Sequence, residues 1–130
     1  MAKSILIGKL IYSTIQASND VTAIVGDRVY PIVAPNDTDF PFIVYTRSNA
    51  YPQNGTKDGW LSDSVSFQIT IATDTYFKGA ELANMVRDLF ENCRISSTDL
   101  TIENIRMTSC TELFNEDTYI QNLYFECESK

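Results

Sequence analysis

The side chains able to do chemistry in this chain are few and scattered. Asp37 and Asp39 stand two apart in a Pro-rich segment, and Glu116 and Asp117 are adjacent in a candidate turn. Either pair could act as general acid and base or hold a divalent cation. Neither is followed by a third oxygen ligand or by glycine-anchored calcium-loop spacing, so solvated loop acids are the simpler reading. Cys93, Cys110 and Cys127 are odd in number, far apart and without a C-x-x-C arrangement. With no histidine in the 130 residues, they read as buried free thiols rather than zinc ligands. The missing histidine also removes Ser-His-Asp and Cys-His chemistry and the usual neutral-pH proton shuttle. The expectation is a protein that is not an enzyme and needs no cofactor or metal.

Two glycines, Gly55 and Gly59, follow Asn54 and Asp58 in the stretch PFIVYTRSNAYPQNGTKDGW, which runs from Pro41 to Trp60. A glycine loop cradles phosphate when it leads from a strand onto a helix N-terminus. Here the pattern beyond it is a second strand. The segment from about Ala50 to Gly59 is longer than a hairpin needs. Two readings stand side by side: a pair of turns in a long connector, or an assembly element, mobile in the free subunit, that lies on a neighbouring subunit. The second makes Tyr51, Gln53, Asn54, Gly55, Lys57, Asp58 and Trp60 candidate interface residues, with Trp60 as an aromatic anchor.

The 10 basic and 17 acidic residues give a net charge of −7. Nucleic-acid binders gain affinity by replacing phosphate counterions with Lys and Arg, so this balance argues against wrapping DNA. The seven tyrosines therefore suit core and interface better than base stacking, which comes with a basic groove. No long apolar run marks a membrane span, and the start has neither the charge nor the cleavage pattern of a signal peptide. A soluble protein made inside the cell is expected.

These residues must be positioned by elements that the periodicity sets out. Ile7, Leu10, Ile11 and Ile15 recur at helical spacing over Ser4 to Ala17, with Ser4 as the expected cap. Asn19 or Asp20 would cap a short turn, Val21 to Val25, that Gly26 ends. Arg28 to Tyr30 extends briefly before Pro31, Pro35 and Pro41 impose a loop. Phe42 to Arg47 reads as a central strand. From Leu61 to Ala72 odd positions are mostly apolar (Leu61, Val65, Phe67, Ile69, Ile71) and even ones small or polar, which gives a sheet one core face and one wet or partner-facing side. A second helix is expected after Asp74 or Thr75, with Gly79, Leu82, Ala83, Val86, Leu89, Phe90 and Cys93 on its apolar stripe. Thr101 to Phe114 and Thr118 to Cys127 form a hairpin turning at Asn115, Glu116 and Asp117, with Ile105, Met107 and Leu113 facing the core. The prediction is one α+β domain over residues 1–130: an antiparallel sheet of about four strands with two helices packed on one face, in the order α-β-β-α-β-β.

GDRVYP (Gly26 to Pro31), PFIVY (Pro41 to Tyr45), ATDTYFKGAELANMVRDLF (Ala72 to Phe90) and NEDTYI (Asn115 to Ile120) together resemble the tail completion proteins of long-tailed bacteriophages and prophages. These are also called tail terminator or tail-to-head joining proteins. The resemblance implies an α+β subunit of the virion tail, made in the bacterial host cytoplasm, that assembles as a ring, often a hexamer. Such a ring caps the tail tube and docks to the head–tail connector. Its partners would be further copies of itself, the tail tube protein and the connector protein, while DNA passes through without specific binding. From the residues alone, a host-cell adaptor or a small-ligand-binding α+β domain without catalytic activity is the alternative.

Overall fold

A computed structural model describes residues 3–52, 62–98 and 100–129. A single 3-10 turn, Ser4–Leu6, leads into α1 (Ile7–Gln16), and α2 (Asn19–Val25) follows at once. Strand β1 (Val29–Pro31) precedes the first hairpin, β2 (Phe42–Pro52) with β3 (Asp63–Thr73). Helix α3 (Tyr76–Phe90) then crosses to β4 (Ile95–Ser96) and the second hairpin, β5 (Thr101–Asn115) with β6 (Thr118–Ser129).

The strands form one sheet in the order β1-β2-β3-β6-β5-β4, strongly curled into a half-barrel. All neighbouring pairs are antiparallel except β1 with β2, which are parallel. The α+β class holds, while the expected four antiparallel strands and two helices are corrected to six strands in a mixed sheet and three α-helices. The two additional strands are three and two residues long. Runs that short carry no readable period, and their pairing depends on distant partners. The third helix arises because the turn at Val21 to Val25 starts two residues earlier than expected. Ser18, rather than Asn19 or Asp20, caps it by accepting from the Val21 backbone N–H at 3.3 Å. Gly26 stops it at φ 61°, a left-handed position that costs glycine little. Ser4 caps nothing. It is buried and donates to the Asp63 carboxylate at the start of β3, which ties the N-terminal turn to the sheet.

Alternation decides which side of the sheet is core. Val65, Phe67, Ile69 and Ile71 are fully buried, and their cross-strand partners Cys127, Phe125 and Leu123 share that face. Phe67 stacks on Phe125 with centroids 5.1 Å apart and meets Phe90 of α3 edge-on at 5.6 Å. Helix α1 covers β2, α3 covers β3 and β6, and α2 bridges α1 and α3. Ile7, Ile11, Val65, Phe67, Ile69, Val86 and Phe125 belong to one core cluster, with Leu89 packed against its edge. Helix α3 sits close because Gly79 has no side chain: a Cβ there would lie 2.7 Å from Thr73 Oγ1.

Leu113 is corrected. It is 46% exposed, and the cause is a register shift between Met107 and Ser109. Met107 lies opposite the core residue Phe125, whereas Ser109 lies opposite Tyr124 on the far face. A bulge inserts one residue and so reverses which parity points inward. Beyond it, Thr111 and Leu113 face outward with Asn122 and Ile120.

Candidate assembly surfaces

The outward rows of the sheet are built from the small and polar residues that the alternation leaves there. Thr70 Oγ1 donates to Asn122 Oδ1 at 2.8 Å, and Gln68 Nε2 donates to Thr70 Oγ1 and to Asn122 Oδ1, both at 3.1 Å. These side chains satisfy one another across β3 and β6, so the face is ordered without a covering layer. One row further along, Arg106 approaches Glu126 at 3.7 Å. Asn104 donates to Glu128 at 2.7 Å.

Tyr51 lies in β2 opposite Ser64 and is 48% exposed. It reaches the outward face because the register shifts between Arg47 and Asn49; unbroken alternation would have turned it toward the helices. Ala50 and Pro52 also belong to the strand. The expected connector is thereby shortened at its start. Gln53, Asn54, Gly55, Lys57, Asp58 and Trp60 lie outside the described residues. The site the sequence reading favoured is represented here by Tyr51 alone.

The opposite end of the sheet carries a surface that the sequence reading did not single out. Strand β2 ends and β3 begins at the Pro52–Asp63 pair, whereas the β5–β6 turn lies beside Thr73 and Phe42. Eleven residues of β3 separate these ends, about 35 Å of strand. Around the turn, the rings of Phe77, Tyr76, Tyr119 and Phe114 form a continuous chain with successive centroids 5.4, 5.9 and 4.8 Å apart. Phe77 is 83% exposed and Phe114 57%. Beneath them, the Glu112 carboxylate accepts from the Tyr76 hydroxyl at 3.0 Å and from Gln121 Nε2 at 2.9 Å. The hydrogen bond and negative charge of Glu112 hold the Tyr76 phenol above its ordinary pKa. A shallow recess of about 250 Å³ lies among Tyr76, Glu112, Phe114, Tyr119 and Gln121. The sequence signal was the pairs Tyr76-Phe77 and Leu113-Phe114. Adjacent large apolar residues put one on each side of a strand, or one outside a helical stripe, and the core can take only one.

The two lateral edges of the sheet differ as well. Strand β4 pairs only with Thr101 and Ile102, and Thr108 to Asn115 are exposed along the rest of β5. Alternate backbone groups there face away from β6 and are open to a partner. At the other edge, the Val29 N–H bonds to Asp27 O, Pro31 has no N–H, and the Val33 N–H turns back to Pro31 O. That edge is blunted against strand pairing. It presents instead two apolar side chains, Ile32 and Val33, at 74% and 71% exposure.

Among the described residues, no group of three or more His, Cys, Asp or Glu stands close enough to hold a metal ion. No described helix is long and apolar enough to cross a membrane. Asp37 and Asp39 lie in the exposed loop before β2, and Glu116 and Asp117 form the β5–β6 turn. The two carboxylate pairs thus sit in separate connections, one between β1 and β2 and the other at the β5–β6 turn. Cys127 is buried, Cys93 is half-buried and Cys110 is exposed, so burial of all three thiols is corrected for Cys110. Cys110 lies opposite Leu123 on the helix-covered side of the sheet, but at a position where the cover is incomplete and the thiol stays exposed.

The profile of a protein family described as Tail completion protein gp17 matches residues 9–127. No curated protein matches the chain. A chain in the solved structure of the virion of a native gene transfer agent particle superposes with a TM-score of 0.78 at 17% identity. That match covers 97% of this chain and 96% of the other. A second solved chain superposes at 0.65 with 12% identity, covering 98% and 96%. At these identities the superpositions show a shared fold, and the family match carries the role.

Proposed function

This chain belongs to the tail completion protein gp17 family, a structural rather than enzymatic component of the virion, and we propose that its subunits form a ring that caps the tail tube and joins it to the head connector. The family match over residues 9–127 is the observation that carries this reading. The sheet supports it, because its two ends are chemically different. One bears Tyr51 beside the Pro52–Asp63 pair; the other bears the aromatic cluster around Tyr76 and Phe114. The net charge of −7 suits a lumen past which DNA moves without adhering, since like charge raises the free energy of close approach.

Within this reading, Tyr51, Gln53, Asn54, Gly55, Lys57, Asp58 and Trp60 belong to a surface that meets a neighbouring subunit or the tail tube. Particles made without the protein should accumulate as separate heads and tails in electron micrographs, and supplying it should restore joined particles. Replacing residues 53–62 by Asn-Gly, between the paired Pro52 and Asp63, should leave circular dichroism unchanged and abolish that rescue. Normal joining in the complete absence of the protein would overturn the role. Rescue by the shortened chain would remove only the connector from it.

A further inference from the structure

We propose that neighbouring subunits join head to tail through two different surfaces: the aromatic patch of Tyr76, Phe77 and Phe114 on one copy packs on the Ile32–Val33 corner of the next. The inference rests on the ring reading above and assigns its lateral contact.

The first argument is area. Tyr76, Phe77 and Phe114 are 40%, 83% and 57% exposed; with rings that each bury about 150–250 Å², they alone offer roughly 300–450 Å². A partner in a stable interface contributes about 800 Å², of which roughly 60% is apolar. The patch is therefore close to the size of the apolar part of one complete interface.

The second argument is closure. A patch that met its own copy would close a two-fold dimer and leave Ile32 and Val33 uncovered. A ring instead requires two distinct complementary surfaces on every subunit. The structure has two, and the strands beside them, β1 and β5, are separated by four strand steps, about 19 Å. The β1 edge lacks free backbone donors, so the contact there is made by side chains. The open backbone of β5 takes hydrogen bonds from the neighbour's loop.

Charge opposes this contact and sets its salt dependence. Exposed Asp37 and Asp39 follow the Ile32–Val33 corner, and exposed Asp74, Lys78, Glu116 and Asp117 surround the aromatic patch, leaving both sides net acidic. Two acidic rims repel, so contact between copies strengthens as salt screens them. A basic partner on the same patch would bind more weakly as salt rises.

The test uses the full chain in three forms: unmodified, carrying Phe77→Asp with Phe114→Asp, and carrying Ile32→Asp with Val33→Asp. All four positions are exposed. Ile32 has φ 67°, a conformation that Asp adopts more readily than a β-branched residue. Circular dichroism checks folding, and Phe77→Ser with Ile32→Asn are the milder replacements for either variant that misfolds. Mass is measured by light scattering at about 50 mM and about 500 mM NaCl, which shortens the screening length from roughly 14 to roughly 4 Å. The unmodified chain should form rings, more completely at high salt, and each variant alone should stay monomeric. Mixed in equal amounts, the two variants should give a one-to-one dimer, because each supplies the surface that the other lacks. Rings that persist in either variant would overturn this contact while leaving the ring standing. A two-fold dimer of the unmodified chain that mixing does not restore would overturn the head-to-tail arrangement. An unmodified chain that stays monomeric under both conditions would overturn the ring reading itself.

Discussion

The central strand pair β3–β6 and the outer half of β5 belong to one continuous sheet, yet one is the driest part of the molecule and the other is exposed along its length. In β3, Phe67, Ile69 and Ile71 have no exposed surface; in β5, every residue from Thr108 to Asn115 is exposed. What separates them is cover: α3 lies over β3 and β6, while β4 stops after two residues and leaves the end of β5 without a neighbour. Alternation states that a strand has an apolar side. Whether that side is filled by the same chain or by another depends on elements far away in sequence.

The sharpest break of the comparison comes from cutting one ring in each region. Phe67→Ala removes a side chain packed between Phe90 and Phe125, and should lower the unfolding free energy by about 3–5 kcal/mol. Phe114→Ala should change the stability of the monomer by less than about 0.5 kcal/mol, as surface substitutions do. Urea unfolding of the two variants measures both. Similar losses would mean that β5 is covered within the subunit.

A smaller effect tests the cover itself. Gly79→Ala places a Cβ against Thr73 Oγ1, and that hydroxyl donates to Thr75 O at 2.7 Å, so it cannot turn aside freely. Overpacking of this kind should cost about 1–3 kcal/mol. Thr73→Ala in the same chain should recover most of it, because the atom in the way is gone. An additive double variant would mean that α3 does not depend on this approach.

Much of β3–β6 was legible because nothing interrupts it: eleven consecutive pairs from Asp63–Ser129 to Thr73–Tyr119 keep one register. Helix α3 was legible for the same reason, its stripe of Gly79, Leu82, Ala83, Val86 and Phe90 being buried as spaced. Leu113 and Tyr51 were not, and both lie beyond a bulge. One inserted residue reverses the inward parity of everything after it, and no residue type near Thr108 or Ser48 announces the insertion. The blunted β1 edge was equally hidden, since it depends on a parallel pairing to residues fourteen positions later. Of the candidate assembly residues, only Tyr51 can be compared with the structure. The aromatic end was written in adjacent apolar pairs, a signal that competes with the core assignment of the same residues.

The thiols carry the comparison into chemistry. Burial pushes the Cys127 pKa up to about 12, with nearby acids adding to the shift; Cys110 is shifted upward too, by partial burial and by Glu112. Alkylation of the folded protein near pH 8 should modify Cys110 and spare Cys127 until denaturant is added. The linkage sign follows from the proton count. Between the ordinary thiol pKa, near 9, and about 12, the folded state keeps a proton on Cys127 that the unfolded state has lost. Stability is therefore full below that window and falls as pH rises through it, by up to roughly 1.4 kcal/mol per pH unit. In Cys127→Ala this slope should lose its largest thiol contribution in alkaline melting curves, and Cys110→Ala should change it less.

The smallest effect is at the β5–β6 turn, where the open region begins. Asn115 pairs with Thr118, so only Glu116 and Asp117 connect the strands, at φ 50° and 60°. Two consecutive left-handed residues define the turn that matches strand twist, and Asn-Gly fits it best. The chain instead holds two acids there. Glu116→Asn with Asp117→Gly should relieve backbone strain and stabilise the monomer by about 0.5–1 kcal/mol, read as a rise in Tm. The same change removes two negative charges from the rim of the aromatic patch. If that rim opposes its neighbour's Asp37 and Asp39, the variant should also form rings at lower salt than the unmodified chain. A stabilised monomer whose assembly keeps its original salt dependence would place these acids away from the subunit contact, and would leave the turn as a purely local choice.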